Sequence, residues 1–136
     1  MTGEEEVRFF ADNTPIPPIE ALSTMAALYH GVLPAIMLAD YKALASALGD
    51  VHRVGFKDRE LRRWSVQTRT CIDAFFEEGL AAGMSSVGPL IYAIIPDNDK
   101  YAFERVQSVC KVFNMRMFAL VKGWNSGYEV RLGVWP

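Results

Sequence analysis

Read from the amino terminus, the hydrophobic and polar positions change period several times, and each change marks an element. Val7-Arg8-Phe9-Phe10 follows an acidic start and reads as a short strand or extended lead-in. Asp12, Asn13, Pro15, Pro17 and Pro18 then form a breaker-rich connector over 12–18. From about Glu20 to His30, Leu22, Met25, Ala26 and Tyr29, continued by Leu33, share one helical face, and Gly31 and Pro34 break or kink that helix. A second helical stretch, roughly 35–52, carries Leu44, Ala47, Leu48 and Val51 on one side.

The spacing of Leu61, Trp64, Thr68, Cys71, Ile72, Phe75 and Phe76 predicts one long third helix, with Asp58 and Glu60 in its first turn. Gly79 and Gly83 close it, and Arg59, Arg62, Arg63 and Arg69 lie opposite its apolar side. Pro89 to Ile95 is an apolar run ended by Pro96, read as a strand buried on both faces. Asp97, Asn98 and Asp99 offer caps for a fourth helix with a stripe of Ala102, Phe103, Val106, Val109, Cys110 and Phe113. Met115 to Val121 reads as a strand, Gly123 to Gly127 as a turn, and Tyr128, Val130, Leu132 and Val134 as alternate positions of a last strand. Helices followed by β–α–β–β predict an α+β fold, an antiparallel sheet with helices packed on one face.

Composition narrows the class. At 136 residues, 51% hydrophobic and a net charge of −2, the chain suits a single domain and is not a disordered one. A pI near 5.7 argues against general nucleic-acid binding. No apolar run approaches the ~18–20 residues of a membrane-spanning helix, and Met1 to Glu6 has no apolar signal core. A cytoplasmic chain without membrane contact is the expectation. Cys71 and Cys110 sit within helical patterns as buried thiols, in neither a metal knuckle nor a disulfide framework. His30 and His52 have no metal-ligand partner at suitable spacing; each fits a surface or capping role, or an acid–base group.

Chemistry concentrates in Gly83-Met84-Ser85-Ser86-Val87-Gly88-Pro89. Two glycines permit positive φ and exposed N–H groups, and Ser85 and Ser86 add hydroxyl donors. Such a loop suits an anion. A tight connector explains the same residues. Among the basic residues, Arg53 and Lys57 precede the third helix and stay candidates for phosphate or pyrophosphate, whereas the later arginines suit a solvated face. Asp40, beside a kink, either orients a substrate amine or starts a helix.

The run Gly83 to Ala93 resembles the glycine-rich third motif of the GHMP kinase superfamily, in the form found in beta-ribofuranosylaminobenzene 5'-phosphate synthases. Gly55-Phe56-Lys57-Asp58-Arg59-Glu60, Leu33-Pro34-Ala35 followed by Asp40, and the segment from Glu4 to Phe10 are also similar to that family. The resemblance implies a GHMP C-terminal (ferredoxin-like) domain over 1–136, with 1–18 as an inter-domain lead-in. It implies an enzyme joining 4-aminobenzoate or 4-hydroxybenzoate to phosphoribosyl pyrophosphate, with release of CO₂ and pyrophosphate, on the way to methanopterin.

Gly83, Ser85, Ser86, Gly88, Arg53, Lys57 and Asp40 are then substrate-binding candidates, Mg²⁺ arrives with the pyrophosphate, and no catalytic residue is assigned. No P-x-x-x-G-L-G-S-S-A run of the N-terminal half is present. The implied partners are therefore a missing N-terminal half or separate subunit, an anionic small molecule, and a second copy in a homodimer. A non-catalytic anion-binding or dimerisation module is the alternative. The two differ in one observable: a half-enzyme exposes a large apolar patch where its companion belongs.

Overall fold

Three carboxylates, Glu4, Glu5 and Glu6, stand where the positive end of a helix dipole favours them, and Gly3–Asp12 forms helix α1. The computed structural model describes residues 3–64, 66–85 and 90–122. The strand expected at Val7–Phe10 is therefore helical. Phe9 is buried, edge-on to Phe56 at 5.4 Å, while Phe10 stacks on Phe56 at 5.3 Å and the Arg63 guanidinium lies 5.2 Å from the Phe9 ring centre.

The proline-rich connector is followed by α2 (Pro18–Ala26), with a proline in its first turn, where no N–H is needed. The helix does not end at Gly31 or Pro34. It widens into a π segment (Ala27–Val32), in which the Leu33 N–H bonds to Leu28 O, and continues as α3 (Leu33–Met37). The wider turn carries the chain past Pro34, whose ring would otherwise crowd the preceding turn. The break comes later, at Ala39, which holds φ 52° while Asp40 N–H bonds to Ala35 O at 2.9 Å. Asp40 then caps α4 (Tyr41–Arg53), its carboxylate accepting from Ala43 N–H at 2.9 Å.

The run Pro18–Met37 is 20 residues long with a mean hydropathy of 1.2, enough by length and composition to cross a bilayer. This corrects the expectation that no apolar stretch approaches that length. Its packing is also inverted relative to common practice for an amphipathic helix. Thr24, Ala27, Gly31 and Ala35 turn inward, whereas Ile19, Leu22, Met25, Tyr29, Leu33 and Ile36 are between 46% and 70% exposed. Small residues allow close backbone approach: a Cβ on Gly31 would stand 2.9 Å from Ala47 Cβ, and one on Gly55 would stand 2.6 Å from Thr24 Oγ1.

The long third helix is two helices. α5 (Gly55–Arg63) starts at a glycine with φ +59° and ends at Trp64, which is extended, and α6 (Val66–Glu77) follows. Gly79, at φ +71°, terminates α6, with Leu80 N–H bonding to Phe75 O. Gly83 closes no helix. It lies in a strand that the periodicity does not reveal, β1 (Ala81–Met84), paired antiparallel with β2 (Ile91–Ile94) in the register Ala81↔Ile94 to Met84↔Ile91.

Side chains alternate across this hairpin. Leu80, Ala82 and Met84, with Ile91, Ala93 and Ile95, pack against Cys71, Ile72 and Phe75 of α6 and against Val106 and Val109 of α7 (Ala102–Val112). On the other face Gly83 meets His52 of α4. Helices thus cover β1 from both sides, not one. β2 is only half covered, with Tyr92 and Ile94 exposed, which corrects the doubly buried strand. The Tyr41 hydroxyl completes the end of the ladder, accepting from Ala81 N–H at 2.9 Å and donating to Ile94 O at 2.6 Å.

The fourth helix appears as expected. Asp99 accepts from Tyr101 N–H and pairs with Arg105 at 2.6 Å, and Ala102, Val106 and Val109 are buried. Beyond Asn114 the described chain to residue 122 is irregular, with Phe118 87% exposed, so no strand forms at Met115–Val121. The expected turn and last strand lie outside the described residues.

Candidate functional site

Ser85 N–H bonds to Leu90 O at 2.8 Å, extending the β1–β2 ladder by one pair. The glycine-serine run therefore begins inside a strand, with Gly83 and Met84 in β1, and is not a helix-to-strand loop. Ser86 and Gly88 lie outside the described residues. Gly83 is extended rather than left-handed, and the Ser85 N–H is spent on the ladder, so neither belongs to an anion nest. Ser85 is exposed at the mouth of the hairpin.

The outer edge of β1 would leave Met84 with an unpaired N–H and C=O. Two side chains satisfy them. Met84 N–H donates to His52 Nε2 at 3.2 Å, and Lys57 Nζ donates to Met84 O at 3.4 Å. His52 is 4% exposed, and its Nδ1 lies 2.7 Å from Leu48 O. A carbonyl can only accept, so Nδ1 carries the proton and Nε2 is the bare acceptor. Burial lowers the His52 pKa from its ordinary value; the bond to Leu48 opposes this, and the charges of Lys57, Arg53 and Arg69 add to the lowering. The ring fits only because position 83 is glycine: a Cβ there would stand 2.5 Å from His52 Cε1 and 2.6 Å from the Tyr92 hydroxyl.

Lys57 is held in turn by Glu60, one helical turn further along α5, whose carboxylate is almost fully buried. Behind it, Asp58 accepts from Arg62 at 2.7 Å and from Arg69 at 2.5 Å, and Arg69 also reaches His52 O at 3.4 Å. Burial would raise the Asp58 pKa, but the bonds from Arg69 and Arg62 outweigh it and hold it low. These arginines are therefore partly structural rather than a freely solvated face, because the break at Trp64 lets α6 turn Arg69 onto α5.

Of the candidates named from sequence, the fold brings Lys57, Gly83 and Ser85 together around Met84, at the Ser85 end of the hairpin. Arg53 adjoins His52 in sequence, but its guanidinium faces Asp50 and Asp73 at 3.9 and 4.0 Å. It borders an open depression of ≈ 700 Å³ where Arg53, Arg62 and Arg69 are balanced by Asp58, Asp73 and Glu77. Asp40 stands at the opposite end of the 13-residue α4, about 20 Å away at 1.5 Å per residue. The sequence reading missed His52 and Glu60 as parts of this cluster. Lys57 and Glu60 are one turn apart, which was a visible signal; nothing in the spacing links His52 to Gly83. Among the described residues, no group of three or more His, Cys, Asp or Glu side chains is placed to hold a metal.

Over 96 residues the chain is 31% identical to a beta-ribofuranosylphenol 5'-phosphate synthase of Archaeoglobus fulgidus, a match covering 71% of this chain and 29% of the relative. It is distantly homologous to these synthases. A second, from Methanothermobacter thermautotrophicus, is 30% identical over 97 residues, covering 69% of this chain and 29% of that one. The matched region is thus under a third of either relative. No family model matches the chain, and no solved structure does.

Proposed function

We propose that this chain is the portion of a phosphoribosyl-transferring synthase, of the GHMP kinase C-terminal type, that carries its anion-facing hairpin. It works with a companion portion to condense 4-aminobenzoate or 4-hydroxybenzoate with phosphoribosyl pyrophosphate. In that reaction the bond to pyrophosphate breaks, a carbon–carbon bond to the ribose forms and CO₂ leaves. The observation that carries this reading is the likeness to two beta-ribofuranosylphenol 5'-phosphate synthases over about 70% of the chain.

Two further features support it. Ser85 opens the hairpin beside the Lys57–Glu60 pair, and in sequence it is followed by Ser86 and Gly88, which this reading assigns as donors for a phosphate-type group. The row of exposed large apolar side chains from Ile19 to Ile36 is the patch a half-enzyme presents to its companion. Catalysis is then mainly positioning and charge stabilisation as pyrophosphate departs, with Mg²⁺ arriving on the substrate. Two free thiols suit a reducing, cytoplasmic setting.

A second reading, a non-catalytic anion-binding or dimerisation module, draws on His52. Both of its ring nitrogens are used by the fold, which leaves it no proton-transfer role in this arrangement. Calorimetric titration of the chain with phosphoribosyl pyrophosphate and Mg²⁺, then with 4-aminobenzoate, tests both. Heat that is lost in Ser85→Ala/Ser86→Ala, with C-riboside formed only when the remaining portion of a related synthase is added, supports the enzyme. Heat without turnover in that mixture favours the module. No heat in the chain or the mixture overturns the enzyme and the anion-binding module, and leaves dimerisation to be read from sedimentation of the chain alone.

A further inference from the structure

We propose that His52 and Lys57 form a clamp on the backbone of Met84, and that His52 is thereby a positioning residue for the anion-facing hairpin. The role in ligand binding rests on the function proposed above; the clamp itself does not. A two-stranded hairpin is marginal on its own, and its β1 strand has a free outer edge. Met84 is the last residue of that strand, immediately before Ser85, and both of its edge-facing backbone groups are taken by side chains from the α4–α5 corner.

Each part is itself restrained. His52 is oriented by Leu48 O and seated against Gly83; Lys57 is anchored by the buried Glu60. The ring replaces the carbonyl, and the ammonium the N–H, that a third strand would have supplied. Where the hairpin leaves the sheet is therefore decided on α4 and α5, away from the ligand.

The clamp depends on protonation. Protonated at Nε2, His52 would present an N–H to the Met84 N–H and release the strand edge. The groups around the ring are Lys57 of α5, Arg53 of its own helix, Arg69 of α6 and the Tyr92 hydroxyl of β2, with Glu60, Asp73 and Asp58 paired behind the three cations. Burial of the ring, and after it the three cations nearby, oppose its protonation, so the clamp is closed at neutral pH.

The decisive comparison is His52→Leu, which removes the acceptor, with His52→Gln, which restores an acceptor that does not titrate. Both are made in the full chain. The first readout is amide hydrogen exchange. In His52→Leu, Met84 protection falls about tenfold, as for one lost hydrogen bond, while amides in α6 keep theirs; His52→Gln restores it. In the wild type, the ¹⁵N shifts of His52 show a neutral ring protonated at Nδ1. The second readout is pyrophosphate affinity against pH. Wild-type affinity falls relative to His52→Gln as the pH drops, and His52→Leu binds about tenfold more weakly at neutral pH.

Unchanged Met84 protection in His52→Leu overturns the clamp. A matching pH profile in wild type and His52→Gln, with binding intact, overturns the positioning role. Loss of Met84 protection in a chain that never binds pyrophosphate upholds the clamp and overturns the anion-binding reading alone.

Discussion

Gly83 and His52 compete for one volume: a methyl group at position 83 would sit 2.5 Å from the imidazole Cε1 and 2.7 Å from Nε2. The glycine is needed for close approach and not for an unusual backbone angle, since it lies in a regular strand. Gly83→Ala therefore overpacks the α4–β1 contact and displaces the ring that accepts from Met84. A loss of about 1–3 kcal/mol in urea unfolding is expected, with an unchanged m-value. An alanine variant as stable as the wild type would mean that the ring and strand part easily.

Stability against pH follows from the same histidine. Its pKa in the fold lies below the ordinary 6.5, chiefly through burial, so the unfolded chain binds the extra proton first. Stability from keeping His52 neutral is complete above about pH 6.5 and is lost progressively as the pH falls below it, until the folded-state pKa is reached. His52→Gln removes that slope. Asp58 acts lower: its pKa is held below 3.8, so its contribution is present above the ordinary carboxylate range and lost as the pH falls through the folded value. Unfolding midpoints measured from pH 8 down to about pH 2 should separate the histidine step, below about pH 6.5, from the carboxylate step, which comes below the ordinary carboxylate range.

How far these features were legible in the sequence depends on the kind of signal each one leaves. α7 was readable because Asp99 binds the Tyr101 N–H just ahead of it and Val106 and Val109 keep its period. β1 was not, because Ala81-Ala82-Gly83-Met84 has no β-branched residue and no alternation; burial from both sides makes it a strand. The apolar face of Pro18–Met37 was read correctly as a face, but periodicity does not say which side meets the core. Gly31 against Ala47 decided that, through a contact visible only in three dimensions. The hairpin residues were located by resemblance, and the clamp beneath them was not, since His52 and Met84 are 32 residues apart.

Lys57 and Glu60 form a pair whose carboxylate is 4% exposed and whose lysine side chain is 22% exposed. Removing one partner strands the other. Glu60→Leu or Lys57→Met alone should each cost about 3–5 kcal/mol, while the double variant Lys57→Met/Glu60→Leu recovers much of it. A urea double-mutant cycle checks this; additive costs would show that the two charges do not depend on each other.

At the far end of α4, Asp40 and Ala39 make opposite contributions. Asp40 accepts from Ala43 N–H, and Asp40→Ala should cost about 1 kcal/mol as a lost cap. Ala39 occupies φ 52°, and Ala39→Gly should stabilise by about 1 kcal/mol by relieving the left-handed strain. Neither change should alter pyrophosphate affinity, because Asp40 stands by the Ala81–Ile94 end of the hairpin, whereas Met84 and Ser85 lie toward His52 at the other end of the helix. Loss of binding in Asp40→Ala would return Asp40 to the substrate site.

The exposed row Ile19, Leu22, Met25, Tyr29, Leu33 and Ile36 makes the last prediction. Substituting a residue that is exposed in the isolated chain changes stability little, within about 0.5 kcal/mol, whereas the same change in a hydrophobic interface is severe. Leu22→Lys/Leu33→Lys should leave the urea midpoint unchanged at concentrations where the chain is monomeric. It should also abolish association, read by sedimentation both for the chain alone, where a symmetric dimer is expected, and for its mixture with the companion portion. Flotation with lipid vesicles separates a bilayer from a protein partner, because the run is long and apolar enough to suit either. A variant that loses several kcal/mol would show that the row is covered within the folded chain and is not a docking face.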